Sequence, residues 1–213
     1  MSKLVEITKA LADLDEERTL QLVQEAIDDH VPADHILQAC QEGMSQVGGR
    51  FECQDYFVSD LIMSGEIFKQ VGAILEPHLK VGGTASLGKV VVGTVKGDIH
   101  DIGKDIVVNM LKSAGFEVID LGVDVPVARF VDALKESGAT VLGLSGLLTL
   151  AFDSMKETIK AIAAAGMRDK VRIMVGGGPV DGNVCKAVGA DDWGASAQHA
   201  VRLAQQWTQT AAA

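Results

Sequence analysis

Apolar residues recur at helical spacing through the first third of the chain. The recurring positions are Leu4, Ile7 and Leu11, then Leu20, Val23 and Ile27, then Ile36, Leu37, Cys40 and Met44. This spacing predicts several short helices, and residues 57–75 predict one longer helix. Residues 13–15 and 32–34 contain the Asp and Pro residues typical of helix starts. Since no strand pattern interrupts residues 1–76, we expect them to form an all-α helical bundle.

The pattern changes after a mixed segment rich in Pro, Gly, Thr and Ser. Residues 77–88 therefore predict a linker. From residue 89 onwards, β-branched runs alternate with helical patterns. The strand-like runs are KVVVGTV, EVIDLG, TVLGLS and VRIMVGG, with a weak last strand at Asp192 and Trp193 before a terminal helix. This alternation predicts that residues 89–213 form an α/β Rossmann-like (flavodoxin-like) doubly wound parallel sheet, in which ligands bind beyond the carboxyl ends of the strands.

Composition and charge narrow the class of protein. Among 213 residues, 47% are hydrophobic, which is sufficient for a buried core. The formal net charge of -10 argues against nucleic acid as a partner. No apolar run approaches the roughly 18 residues of a membrane span, so we expect no membrane association and a cytoplasmic protein. Cys40, Cys53 and Cys185 lack any CxxC pairing and predict neither a disulfide framework nor a thiolate zinc site.

The segment GDIHDIGK, residues 97–104, follows the first predicted strand and has three interpretations. A phosphate-binding loop requires GxxxxGK followed by Ser or Thr, whereas five residues separate these glycines and Asp105 follows the lysine. Alternatively, Asp98 or Asp101 caps a helix and His100 is a solvated turn residue. In the third interpretation His100 is a metal ligand, and Asp98 accepts the other imidazole N–H. In an extended loop the D-x-H spacing would point both side chains the same way.

The same segment closely resembles the DxHxxG signature of cobalamin-binding domains, found in methionine synthase, methylmalonyl-CoA mutase and the small corrinoid proteins of methanogens and acetogens. Ser145-Gly146-Leu147 and Gly176-Gly177 resemble the family's SxL and GG elements. The resemblance implies cobalamin or a related corrinoid, with His100 as the lower axial ligand to cobalt. Asp98 would support His100, and Ser145 would support Asp98, making these three the catalytic residues. The further cofactor contacts that it implies are Gly97, Ile99, Asp101, Gly103, Leu147, Thr149, Gly176, Gly177 and Ala197.

Other interpretations of the two glycines and of Ser145 stay open. Gly176 and Gly177 are also typical of an ordinary turn. Ser145 at a strand end could be a nucleophile, although GLSGL lacks the second glycine of GxSxG and no His/Asp partner set is apparent, which favours a hydrogen-bonding role in the wall of the site.

The helical half distinguishes two chemistries of cobalamin, radical rearrangement and methyl transfer. Residues 47–52 and 56–61 resemble the helical cap that precedes the cobalamin domain of methionine synthase and methylotrophic corrinoid proteins. In that family an aromatic residue and a leucine cover the methyl face of the corrin. The resemblance therefore implies Phe57 and Leu61 as contacts, four residues apart on one helix face.

The resemblance also implies a role and its partners. The cobalt would cycle between Co(I) and methyl-Co(III), the methylcobalamin state, taking a methyl group from a substrate-specific methyltransferase. An acceptor methyltransferase using folate or a thiol coenzyme would receive it, and a reductive activator would be a further partner. No His/Cys cluster for a substrate-activating zinc occurs, so the chain is not expected to be active alone. Methanol, methylamines, glycine betaine and methoxylated aromatics stay open as donors. The alternatives are a cobalamin-dependent sensor or regulator and a flavodoxin-like scaffold without cobalamin.

Overall fold

The computed structural model describes residues 2–78 and 86–211, which divide into two compact units. The first unit contains residues 2–78 with 113–115, and the second contains residues 86–112 and 116–211. Residues 79–85 of the predicted linker lie outside the described residues. Pro77 and His78, expected in the linker, instead belong to a short 3-10 helix, Glu76–His78, which directly follows the last helix of the first unit.

The first unit is helical, as predicted. Its described helices are α1 (Lys3–Ala12), α2 (Glu16–Asp28), α3 (Ala33–Glu52) and α4 (Val58–Leu75). Asp15 caps α2 by accepting the backbone N–H of Arg18, whereas Pro32 precedes α3 as its N-cap and is not its first residue. Helix α4 begins one residue after Phe57, which is extended. The prediction that Phe57 and Leu61 share a helix face is therefore wrong.

Helix α3 is also longer than the short helices predicted for this region, with 20 residues. Its interior Gly43 lies against α1: a Cβ there would be 2.9 Å from the carbonyl oxygen of Thr8 and 3.1 Å from Leu11 Cβ. The Thr8 hydroxyl donates to the carbonyl of Ala39 across the same contact. This close packing offsets the cost of glycine in a helix, about 1 kcal/mol relative to alanine.

The second unit is a five-stranded parallel sheet with helices, which confirms the predicted fold class. The strands are β1 (Lys89–Thr94), β2 (Glu117–Asp120), β3 (Val141–Ser145), β4 (Arg172–Gly176) and β5 (Asp192–Trp193), in the order β2-β1-β3-β4-β5. The helices are α5 (Ile102–Ser113), α6 (Val127–Ser137), α7 (Ala151–Ala164), α8 (Gly182–Val188) and α9 (Ala197–Ala211). Strands β1, β3 and β4 are buried along most of their length because helices cover both faces of such a sheet.

The strand order determines where a ligand can bind in this sheet. Strand β1 lies between β2 and β3. The chain therefore leaves β1 towards β2 and leaves β3 in the opposite direction, towards β4. Ligands of doubly wound sheets bind at this point, where adjacent loops diverge. Thr94 is paired with Ser145, and Ser145 with Gly176, so β1, β3 and β4 end level with one another. The loops after these strands therefore share one edge.

Within residues 2–78 and 86–211, no helix combines the length and the apolar character that crossing a membrane requires.

Candidate functional site

Asp98 lies at the centre of the edge formed by these strand ends. Its side chain is fully buried. One carboxylate oxygen, Oδ1, accepts the backbone N–H of His100 at 3.0 Å and lies 2.7 Å from His100 Nδ1. The other oxygen, Oδ2, accepts the backbone N–H groups of Leu147 at 2.6 Å and Leu148 at 3.0 Å. A single carboxylate thus joins the loop after β1 to the loop after β3.

These contacts determine the charge of Asp98 and the orientation of His100. Burial alone raises the pKa of Asp98, but the hydrogen bonds from Leu148, His100 and Leu147 outweigh it and lower the pKa to about 2. An ionised carboxylate can only accept a hydrogen bond, so Nδ1 donates its N–H to Asp98 and Nε2 is the ring nitrogen left to bind a metal. The His100 side chain is 49% exposed, and its Nε2 has no hydrogen bond within the described residues. Nε2 is therefore open to a metal ion, with Asp98 orienting the ring.

Ser145 does not support Asp98 in the way that the sequence predicted. It is the last residue of β3 and is half-buried, and its hydroxyl makes no hydrogen bond in the part of the chain that the structure describes. The reason is that two backbone N–H groups of the following loop already occupy the carboxylate oxygen facing β3. The SxL motif marks the correct loop, but its backbone, not its serine side chain, contacts Asp98.

The glycines after β4 bring two loops into close contact. Gly177 has φ +138°, and a Cβ there would lie 1.9 Å from the carbonyl oxygen of Gly146. Beside it, the N–H of Gly146 donates to the carbonyl of Gly176 at 3.0 Å. At Gly176 an added Cβ would meet only the carbonyl of Gly194, at 3.8 Å, so the end of β4 borders open space. Gly177 therefore allows the two loops to meet, and Gly176 leaves room for a ligand segment beside the sheet.

Apolar side chains are exposed to solvent on the loops around His100, an unfavourable arrangement unless a ligand covers them. They are Ile99, Ile102, Val123, Leu147, Leu148 and Leu150. The sequence singled out Ile99 and Leu147 from this exposed set and not the other four. Those four have no motif, and only their positions in or next to the segments that follow predicted strands relate them to the site.

The other predicted contacts are divided between exposed and buried positions. Gly97 and Asp101 are exposed in the loop of His100, Gly103 is exposed in the first turn of α5, and Thr149 is exposed after β3. Ala197 begins α9 and is buried. In the helical unit, Phe57 is 70% exposed, whereas Leu61 is 5% exposed.

A corrinoid fits the residues at this edge. It presents a broad, largely apolar macrocycle whose metal takes an axial imidazole, and the edge offers one oriented imidazole among exposed aliphatic side chains. The open space beside Gly176 suits the nucleotide tail that extends from the corrin ring of a cobalamin. The unpaired Ser145 hydroxyl supplies a polar group near this space.

Comparison with known proteins gives the same cofactor. Residues 88–202 match a family described as a B12 binding domain, and residues 4–76 match a second family with the same description. Dimethylamine corrinoid protein 2 of Methanosarcina acetivorans is 38% identical over 204 residues, covering 95% of this chain and 94% of that protein.

Two solved structures are similar over nearly the whole chain. A cobalamin-binding protein from Desulfitobacterium hafniense DCB-2 has 43% identity and a TM-score of 0.82, covering 96% of this chain and 98% of that one. The methanol:cobalamin methyltransferase complex MtaBC from Methanosarcina barkeri contains a chain with 26% identity and a TM-score of 0.85, covering 98% of this chain and 81% of that one. With B12 binding domains matched in both units and relatives aligned from end to end, the chain belongs to the corrinoid proteins and binds cobalamin or a related corrinoid.

Proposed function

We propose that this chain carries a methyl group between two methyltransferases, holding its corrinoid with His100 as the lower axial ligand. The observation that carries the proposal is the buried Asp98 carboxylate 2.7 Å from His100 Nδ1, which fixes the imidazole with Nε2 free. The similarity to a dimethylamine corrinoid protein and to the chain in a methanol:cobalamin methyltransferase complex supports a role in such a methyltransferase system.

The chain's own residues bind and orient the cofactor. Asp98 holds the tautomer of His100 and, through the backbone of Leu147 and Leu148, fixes the neighbouring loop. Ser145 and Thr149 offer hydroxyls to the nucleotide tail, and the open space at Gly176 accommodates it. When bound, the cobalt supplies the centre that accepts and donates the methyl group.

The partners follow from this role. A substrate-specific methyltransferase loads the methyl group, and an acceptor methyltransferase with a folate or thiol coenzyme removes it, while a reductive activator restores the corrinoid after oxidation. Methylamines and methanol are the donors to test first, because the similar proteins are a dimethylamine corrinoid protein and a chain of a methanol:cobalamin methyltransferase complex. The experiment mixes the reduced, corrinoid-loaded protein with purified methyltransferases and each donor, and follows the visible spectrum of the corrinoid. If no donor and methyltransferase pair changes the spectrum, the methyl-carrier role is wrong.

His100→Ala removes the proposed axial nitrogen. The protein should still bind cobalamin through its other contacts, with affinity reduced roughly tenfold, a loss of about 1.4 kcal/mol. The measurement is the EPR spectrum of the Co(II) form of the protein loaded with cobinamide, a corrinoid that lacks the nucleotide base, in which an axial imidazole nitrogen splits the cobalt lines and an oxygen ligand does not. His35→Ala, at an exposed position of α3, is the matched control and should keep the splitting. Persistence of the splitting in His100→Ala would exclude His100 as the ligand.

Phe57→Ala tests the proposal that the helical unit contributes Phe57 and Leu61 to the methyl face. Because Phe57 is 70% exposed, its truncation should change the free energy of unfolding by less than about 0.5 kcal/mol. Loss of a ring that packs on the corrin should nevertheless weaken cobalamin binding several-fold, measured by titration of the visible spectrum. Val5→Ala, an exposed apolar position of α1, is the control and should bind like the wild type. Equal affinities of all three proteins would remove Phe57 from the site.

A further inference from the structure

The loop between β2 and α6, residues 121–126, is bonded to the loop that carries His100, residues 95–101. Within it, the Asp124 carboxylate accepts the backbone N–H of Gly97 at 2.7 Å. The backbone N–H of Asp124 donates to the carbonyl oxygen of Asp98 at 2.9 Å. Asp124 therefore holds the peptide group before Gly97 and the peptide group after Asp98. These two bonds fix the chain on both sides of Asp98, two residues before the proposed cobalt ligand.

The backbone of both partners is unusual at this contact. Asp124 has φ +50°, in the left-handed region that most side chains avoid and that Asp and Asn tolerate best. Gly97 has φ +84°, a conformation natural to glycine. Because glycine leaves the free loop many alternative conformations, the bond from its N–H to Asp124 selects one of them. In this conformation Asp98 meets both His100 and the Leu147 and Leu148 amides.

A purely stabilising role does not explain Asp124. The residue is exposed, so truncating its side chain opens no cavity in the core. The next residue, Val125, already pairs with β1 by donating to the carbonyl of Thr94 at 3.0 Å. The Asp124 side chain adds a bond to the loop beyond β1 alone, and its effect should be confined there.

We propose that Asp124 is a positioning residue, which holds the loop of residues 95–101 so that His100 presents Nε2 to the cobalt. The proposal rests on the proposed ligation by His100 and adds a residue that acts on it from a different strand end. Asp124 makes no hydrogen bond to the imidazole, and it works through Gly97 and Asp98.

Two substitutions of Asp124 separate the effect of its acceptor oxygen from the effect of its backbone conformation. Asp124→Gly keeps the positive φ but removes the acceptor, whereas Asp124→Asn keeps both an acceptor oxygen and a side chain suited to that φ. In the cofactor-free protein, hydrogen exchange at the Gly97 amide should accelerate roughly tenfold in Asp124→Gly and less than about twofold in Asp124→Asn. In the Co(II) protein loaded with cobinamide, the fraction of EPR signal with nitrogen splitting should fall by about half or more in Asp124→Gly and stay at the wild-type level in Asp124→Asn. Thermal unfolding confirms that both variants fold.

These outcomes distinguish the positioning role of Asp124 from the proposed ligation by His100 on which it rests. Wild-type exchange and wild-type splitting in Asp124→Gly would overturn the positioning role, and so would an equal loss in Asp124→Asn, since the acceptor oxygen would then not be the cause. Absence of nitrogen splitting in the wild type would instead reject ligation by His100. The exchange at Gly97 would still decide whether Asp124 holds the loop.

Discussion

Gly177→Ala should abolish corrinoid binding and lower the free energy of unfolding of the sheet unit by at least about 3 kcal/mol. The added Cβ would lie 1.9 Å from the carbonyl oxygen of Gly146, far inside van der Waals contact, at a φ of +138° that alanine disfavours. Gly146 cannot simply move away. Its N–H is bonded to Gly176, and a Cβ built on it would lie 2.7 Å from Ala151 Cβ, so helix α7 is packed directly behind it.

The measurement is urea unfolding of the cofactor-free protein together with a spectral titration with hydroxocobalamin. Gly143→Ala is the matched control in the same sheet, because its Cβ would meet Val92 and Met174 at ordinary distances of 3.6 Å and more. It should change the free energy of unfolding by less than about 1 kcal/mol. A wild-type unfolding midpoint in Gly177→Ala would mean that the two loops separate freely and do not form a rigid wall of the site.

The sequence predicted local features of the sheet unit well because its signals are local. The run KVVVGTV places β-branched residues at consecutive positions, which is typical of a strand buried on both sides, and β1 is buried from Val90 to Thr94. The two-residue spacing of Asp98 and His100 brought carboxylate and imidazole together, as the structure shows. The helical unit was harder to predict at its boundaries. Helix α3 continues through glycines because of tertiary packing at Gly43, which helix propensity does not contain.

What the sequence could not show is which groups complete the site from a distance. The amides on Asp98 belong to Leu147 and Leu148, 49 and 50 positions later, and backbone N–H groups have no signature in a sequence. The resemblance to the SxL element implied instead that the Ser145 hydroxyl supports Asp98. Asp124 was missed for the same reason, since its partner Gly97 lies 27 positions earlier in the chain. Strand order brings these segments together, so the contacts become visible only once the order β2-β1-β3 is known.

Asp98→Asn should destroy the His100 site although it changes only one atom. Each of the four groups facing the carboxylate donates a hydrogen: two from His100 and one each from Leu147 and Leu148. An amide NH2 pointing at the leucines leaves two buried donors without an acceptor. Pointing the other way, it faces the His100 backbone N–H and can be accepted by Nδ1 only if the ring proton moves to Nε2, the nitrogen intended for cobalt. We expect a loss of about 3 kcal/mol in the free energy of unfolding and loss of the nitrogen splitting in the Co(II) EPR spectrum of the cobinamide-loaded protein.

Asp132→Asn, at an exposed position of α6 outside the site, is the control and should keep both properties. The pH dependence of unfolding gives an independent test. Asp98 has its pKa lowered from 3.8 to about 2 in the folded protein, so its stabilising contribution is complete above about pH 4 and is lost as the pH falls through about 2. That gap corresponds to about 2 kcal/mol. The difference in unfolding free energy between wild type and Asp98→Asn should shrink by this amount between pH 5 and pH 2. A difference that is constant over this range would show that the native state does not depend on an ionised Asp98, and the account of His100 orientation would have to be abandoned.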